Sequence, residues 1–176
     1  MYSFGMTGLS LSIEGVTVKG GHVLFWHGPF SNWHIAPFVV NGQRYVCTEQ
    51  WMMAEKARLF GDAERLAEIL VTESPKAQKA LGRKVTPFDA KRWSEAAEEI
   101  VVQGNLAKYR AHDDLRAMLL STAPLPLAEA SPFDRIWGIG LAPSHADAGT
   151  PERWRGKYLL GKVLERVRDQ LIQEAA

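Results

Sequence analysis

Along the first quarter of the chain the hydrophobic positions follow a two-residue period. Leu11 and Ile13 alternate with Ser12 and Glu14, and Val16 and Val18 with Thr17, while Val23-Leu24-Phe25-Trp26 reads as a buried strand. Gly15, Gly20 and Gly21 punctuate this β-like stretch from Leu11 to Trp26. Phe38-Val39-Val40 and Gln43 to Val46 flank Asn41-Gly42. That dipeptide tolerates the positive φ angles of a two-residue type I′ turn, so a hairpin is expected.

From Thr48 onward the period becomes helical. Thr48 is expected to cap a helix running to about Phe60. Its first turn carries Glu49, where the helix dipole favours an ionised carboxylate aimed outward. Gly61 stops that helix and Asp62 starts another, to about Val71. Ser74-Pro75 pairs an N-cap with proline at the first helical position, and Gly82 ends this short helix. A longer helix is expected from about Pro87 to His112, then one from Asp113 to Ser121. Thr122 to Thr150 reads mostly as loop. Gly156 to Ala175 forms a last helix with Leu159, Leu160, Val163, Leu164, Val167 and Leu171 on one face. Helices outnumber strands and the strands cluster early. The expectation is a single α+β domain over 1–176, mainly helical with a small N-terminal β-sheet and hairpin, residues 1–21 being an extension or edge strands.

The 176 residues are 46% hydrophobic and 23% charged, the balance of a folded globular protein. With 21 Lys+Arg against 20 Asp+Glu the net charge is +1, so no global field draws the chain to nucleic acid or membrane. Cys47 is the only cysteine, which excludes an intramolecular disulfide and a Cys-based zinc site. It reads either as a nucleophile with a histidine base or as a small, half-buried strand residue. The N-terminus lacks a basic segment followed by an apolar one, and no apolar run approaches the roughly 18 residues of a membrane helix. A cytoplasmic protein with no membrane association is expected.

Several chemistries are missing. There is no Walker-type phosphate loop, and the G-x-G of Trp137-Gly138-Ile139-Gly140 follows a loop rather than a strand. The five histidines lack metal-ligand spacing, so neither metal nor cofactor is expected. Three features remain. Glu49 and Lys56 are seven apart, so they share nearly one helical face with Met52 and Met53 between them; a dipole acid and a surface lysine are the plainer reading. Leu127 to Gly140 is an aromatic- and glycine-rich stretch carrying Glu129 and Asp134, with Trp137 as a possible core plug. Lys76, Lys79, Arg83, Lys84, Lys91 and Arg92 face only Asp89, a basic patch suited to phosphate or simply a solvated face.

In this order these features resemble the YbiA/NADAR family of N-glycosidases. The resemblance runs through Phe30-Ser31-Asn32, Asn41-Gly42, and the pattern of Glu49, Trp51, Ala54 and Lys56. It continues through Gly82-Arg83, Trp93, Ala107-Lys108-Tyr109 and Leu115 to Pro124, then Leu127 and Glu129. Asp134-x-x-Trp137-Gly138-x-Gly140, Leu160-Gly161 and Arg168 complete it. Tyr158 departs from an asparagine usual in the family, and Met52-Met53 replace an aromatic-Gln pair.

The resemblance implies hydrolysis of N-glycosidic bonds to ribose, in phosphoribosylamino intermediates of riboflavin synthesis or in ADP-ribosylated guanine. It implies functional roles for Glu49, Lys56, Trp93 and Asp134. Breaking such a bond builds positive charge at the anomeric carbon. A carboxylate at Glu49 stabilises it and positions or deprotonates water. Lys56, desolvated against the methionines, can attack as a neutral amine and hold the sugar as a Schiff base. Asp134 is a second acid/base or holds ribose hydroxyls. Trp93 and Trp137 offer stacking surfaces, Arg83 and its basic neighbours take phosphate, and Asn32 and Gly138 complete the substrate-binding set. The partner is then a small nucleotide-like molecule or an ADP-ribosylated guanine, free or in nucleic acid, with no obligate protein partner. Two other classes compete. A non-catalytic nucleotide-binding module is disfavoured by intact Glu49, Lys56 and Asp134. A nucleic-acid-binding protein is disfavoured by the net charge.

Overall fold

The computed structural model describes residues 13–175. Strand β1 (Val16–Lys19) pairs antiparallel with β2 (His22–Phe25), and a second hairpin joins β3 (Phe38–Val40) to β4 (Gln43–Tyr45). Asn41 and Gly42 sit at φ of 50° and 78°, as the Asn-Gly turn requires. Then follow α1 (Thr48–Phe60), α2 (Ala63–Leu70), α3 (Pro75–Gly82), α4 (Ala90–Ala111) and α5 (Asp113–Ser121). Strand β5 (Leu127–Glu129), two short 3-10 turns and α6 (Leu159–Glu174) complete the order. This is an α+β arrangement. Leu11 and Ser12 of the expected first strand lie outside the described residues, and Ile13 to Gly15 enter a turn instead.

One expectation about the strands and one about a helix end are corrected. The stretch 122–150 holds β5, which pairs parallel to β2 and makes it the centre of a β1-β2-β5 sheet. The early strands are therefore completed by a late one. Helix α4 begins at Ala90 rather than Pro87, because the Asp89 carboxylate accepts from the Arg92 N–H at 2.7 Å and caps it there.

Strands β2 and β5 are covered on both faces, while β1 is an exposed edge. Val23, Phe25 and Leu127 join the larger core with α1, α4 and α6, while Leu24 and Ala128 join a smaller one with Ile139 and Leu141. Helix α1 packs against α2, α3 and α4 and is buried almost all round over its first two turns. It ends at Gly61, whose φ of 72° is the left-handed cap that glycine supplies readily. Helix α6 presses on β5 through Gly161, where a Cβ would lie 1.9 Å from the Leu127 carbonyl oxygen. The sheet edge and helix start are thus locked together beneath the site.

Candidate active site

The start of α1 differs from the cap expected at Thr48. Cys47 occupies the N-cap position without a side-chain cap bond, and Thr48 is the first helical residue, buried with an unpartnered hydroxyl. A distant group takes one of the exposed donors, the Glu49 N–H reaching the Asn32 carbonyl at 2.9 Å, while Gln50 Oε1 accepts from the N–H of Val46, just before the helix, at 2.7 Å. The helix begins inside the protein, so Glu49 cannot face solvent as its first-turn position suggests. It is 5% exposed, and burial pushes its carboxyl up to about 7, with Asp134 adding to the rise. Lys79, the Trp33 side chain and Arg83 oppose that rise without cancelling it. Cys47 is buried, donates to Gln78 Oε1 at 3.2 Å, and has its thiol raised to about 11. That is a structural cysteine, not an activated one.

Glu49 opens into a cleft of about 560 Å³. Helix α1 contributes Glu49, Met52, Met53 and Lys56; α3 and the residue after it contribute Lys79 and Arg83; α4 contributes Trp93. The loop after β5 closes the far side with Phe133, Asp134 and Trp137. The seven-residue spacing does place the acid and the amine on one wall, with both methionines between. Lys56 Nζ donates to the Gly82 carbonyl at 2.8 Å and lies 4.4 Å from the Phe88 ring centroid and 5.4 Å from that of Trp93. Burial lowers its pKa, and Arg83 lowers it further. Gly82 is small for a reason: a Cβ there would lie 1.9 Å from Met53 Sδ.

Asp134 shapes its own loop. Its Oδ1 accepts from the N–H groups of Ile136 and Trp137 at 2.9 and 2.8 Å, and its Oδ2 pairs with Lys79 Nζ at 3.5 Å. Asn32 lines the cleft, but its Oδ1 accepts from Asn105 Nδ2 at 3.2 Å, tying the amide to α4. Beneath it, fully buried Lys108 donates to the carbonyls of Pro29 and Ser31 at 2.7 and 3.2 Å and holds the Asn32–Trp33 wall in place. Gly138 does not line the cleft. It lies behind the wall, where a Cβ would come within 2.9 Å of the Asp134 carbonyl and 3.1 Å of that of Glu129. Of the basic patch, Lys79 and Arg83 reach the cleft, while Lys76 lines an adjoining chamber of about 450 Å³ together with Trp26 and His27. Lys91 and Arg92 turn elsewhere, Lys91 towards Glu95 and Arg92 over the Phe60 ring.

Lys79 reaches the cleft as a member of the expected basic patch, whereas Glu129 and Trp33 line it without having been expected there. Glu129 lines the cleft, and its carboxyl is pushed up to about 7 by burial, Asp134 and Glu49 against the pull of Lys79. Among the described residues no group of three or more His, Cys, Asp and Glu side chains is arranged to hold a metal ion. None of their helices is long and apolar enough to cross a membrane. A larger groove of about 1190 Å³ between α1, α4 and the β3–β4 hairpin has its charges closed in pairs, Glu55 with Arg58 and Arg110 with Glu174.

The NADAR domain model matches residues 24–172 of the chain. The chain is 38% identical over 161 residues to N-glycosidase R617 of Acanthamoeba polyphaga mimivirus, covering 84% of this chain and 95% of that protein. It is 32% identical over 148 residues to N-glycosidase YbiA of Escherichia coli, covering 84% of each. The NMR structure of E. coli YbiA superimposes with a TM-score of 0.74 at 29% identity, over 92% of this chain and 91% of that one.

Proposed function

The chain belongs to the NADAR family and is an N-glycosidase; we propose that its cleft hydrolyses the bond between a phosphorylated ribose and the nitrogen of a base or amine. One observation carries this reading: a protonatable buried carboxyl, Glu49, and an amine of lowered pKa, Lys56, share one wall of the same cleft. Glu49 stabilises the positive charge that develops at C1′ and moves the proton of the attacking water. Lys56, in its neutral form, attacks C1′ and displaces the base. Ring opening then yields a Schiff base that water hydrolyses, freeing the sugar and the lysine. Trp93 and Trp137 bracket the planar leaving group, Lys79 and Arg83 bind phosphate, and Asp134 fixes Lys79 and takes a ribose hydroxyl.

Substrates of this class are phosphoribosylaminopyrimidines of riboflavin synthesis and ADP-ribosylated guanine, both met in the cytoplasm. The chamber beside the cleft, with the Trp26 and His27 rings stacked at 4.6 Å, gives the longer ADP-ribosyl group room. Mass spectrometry of free base released from each substrate class tests the reading, and no release from either would overturn it. Borohydride added during turnover should trap a reduced sugar on the peptide bearing Lys56. Efficient turnover by Lys56→Arg would instead assign the attack to water.

A further inference from the structure

Cleaving a C1′–N bond leaves an electron pair on nitrogen, and a poor leaving group of this kind needs a proton as it departs. Adding water to C1′ releases a proton in turn. Two groups are required, and the reading above, on which the present step rests, supplies only the acceptor, Glu49.

Three acids line the cleft: Glu49, Glu129 and Asp134. Asp134 has both oxygens engaged, one by two backbone N–H groups of its loop and the other by Lys79. Glu129 differs. It ends β5 on the same strand face as Leu127, which packs into the core beside α1 and α6, and so projects toward the cleft. Its carboxyl pairs with none of the described residues. Its backbone is rigid, with the Glu129 carbonyl accepting from the Ile139 N–H at 2.9 Å and the next N–H, of Ala130, bonded to the Phe25 carbonyl at 2.7 Å.

We propose that Glu129 is the general acid that protonates the departing nitrogen, working opposite Glu49 across the cleft. Glu129, neutral, gives its proton to nitrogen as the C1′–N electron pair moves onto that atom. Water forms the C1′–O bond, directly or in hydrolysing the lysine adduct, and gives its proton to Glu49. Glu129 is then charged and Glu49 neutral, and transfer of that proton through water restores the starting state.

The electrostatics fit a divided pair. Glu49 from α1 and Asp134 from the loop disfavour charge on Glu129, while Lys79 from α3 favours it. Arg83 and Arg135 also line the cleft, and Glu165 of α6 is bonded to the Leu127 N–H at the far end of the strand. Burial raises both Glu49 and Glu129 to about 7, so either carboxyl can give or take a proton close to neutral pH.

Glu129→Gln tests the assignment on two substrates: the N-ribosyl compound that the native enzyme hydrolyses, and the 4-nitrophenyl glycoside of the same sugar phosphate. Nitrophenolate leaves without a proton. Turnover of the N-ribosyl substrate should fall by roughly 10²-fold or more, the scale of a lost general acid, with nitrophenolate release nearly unchanged. Glu49→Gln should slow both. In the native enzyme the N-ribosyl rate should fall as pH rises past neutrality, and Glu129→Gln should abolish that limb. The limb is read on the N-ribosyl substrate alone, so it decides even where the aryl glycoside is cleaved slowly. Equal losses on both substrates with the limb intact, or native turnover of the N-ribosyl substrate, would overturn the assignment. A native protein inert towards both compounds would instead remove the hydrolytic reading, and the role of Glu129 with it.

Discussion

At Glu49 two influences of opposite sign meet. The N-terminus of α1 favours a carboxylate by about 0.3–1 kcal/mol. Burial disfavours one by more: a rise from 4.5 to about 7 corresponds to an order of 3 kcal/mol. Desolvation wins, and the acid is poised to exchange protons near neutrality instead of resting as a permanent anion. Gln has the same shape and no charge to desolvate, so Glu49→Gln should keep the fold and, at pH 4, the native melting temperature. Turnover should fall by roughly 10²-fold or more, the usual scale for a lost general base. Rate measurements beside a thermal melt check both halves. Native rates in the Gln variant would remove Glu49 from the chemistry.

Among the elements, α2, α3 and the end of α1 are legible in the sequence because their caps are local, and α6 because its apolar face is. Ser74-Pro75 and Gly61 act within a few residues of themselves. Strand β5 is three residues long and pairs with a strand some hundred positions earlier, so no local period announces it. Glu129 is hidden for the same reason: the stretch from Leu127 to Gly140 looks functional, but only the pairing with β2 decides which acid faces inward. The start of α1 is not legible, because the Asn32 carbonyl, from a distant loop, takes the N–H of Glu49.

Two glycines separate stability from activity at this scale. Gly161→Ala sets a methyl 1.9 Å from the Leu127 oxygen and 2.7 Å from its carbon, both backbone atoms in a buried strand. This variant should lose several kcal/mol, in the range of overpacked or strained cores, and its melting temperature should show it. Gly82→Ala meets only the flexible end of Met53. It should fold, yet push Met53 into the cleft and raise KM more than it lowers the melting temperature.

For the whole molecule, the cleft draws a wall from nearly every layer: Glu49 from α1, Lys79 from α3, Trp93 from α4, Glu129 from β5 and Leu160 from α6. Closing it buries two acids whose charged forms the fold disfavours, a concession of stability to function. The linkage follows from the direction of the displacement. Glu49 and Glu129 have folded pKa values raised from 4.5 to about 7, so between those limits the native state holds more protons than the unfolded one. Stability contributed by their neutral forms is complete below about 4.5 and is lost as pH rises through 7. The variant Glu49→Gln/Glu129→Gln cannot ionise at either position. At pH 4, where the carboxyls are largely neutral in both the folded and the unfolded chain, it should nearly match the native chain in urea denaturation. By pH 8 it should be the more stable of the two, by a few kcal/mol on the scale of about 1.4 kcal/mol for each pH unit of displacement. Lys108, held down to about 7 by burial, is unchanged in both chains and drops out of the difference. Parallel stability curves from pH 4 to 8 would mean that the two acids ionise in the folded protein as freely as in water, and the cleft would then lack the protonated carboxyl on which its chemistry depends.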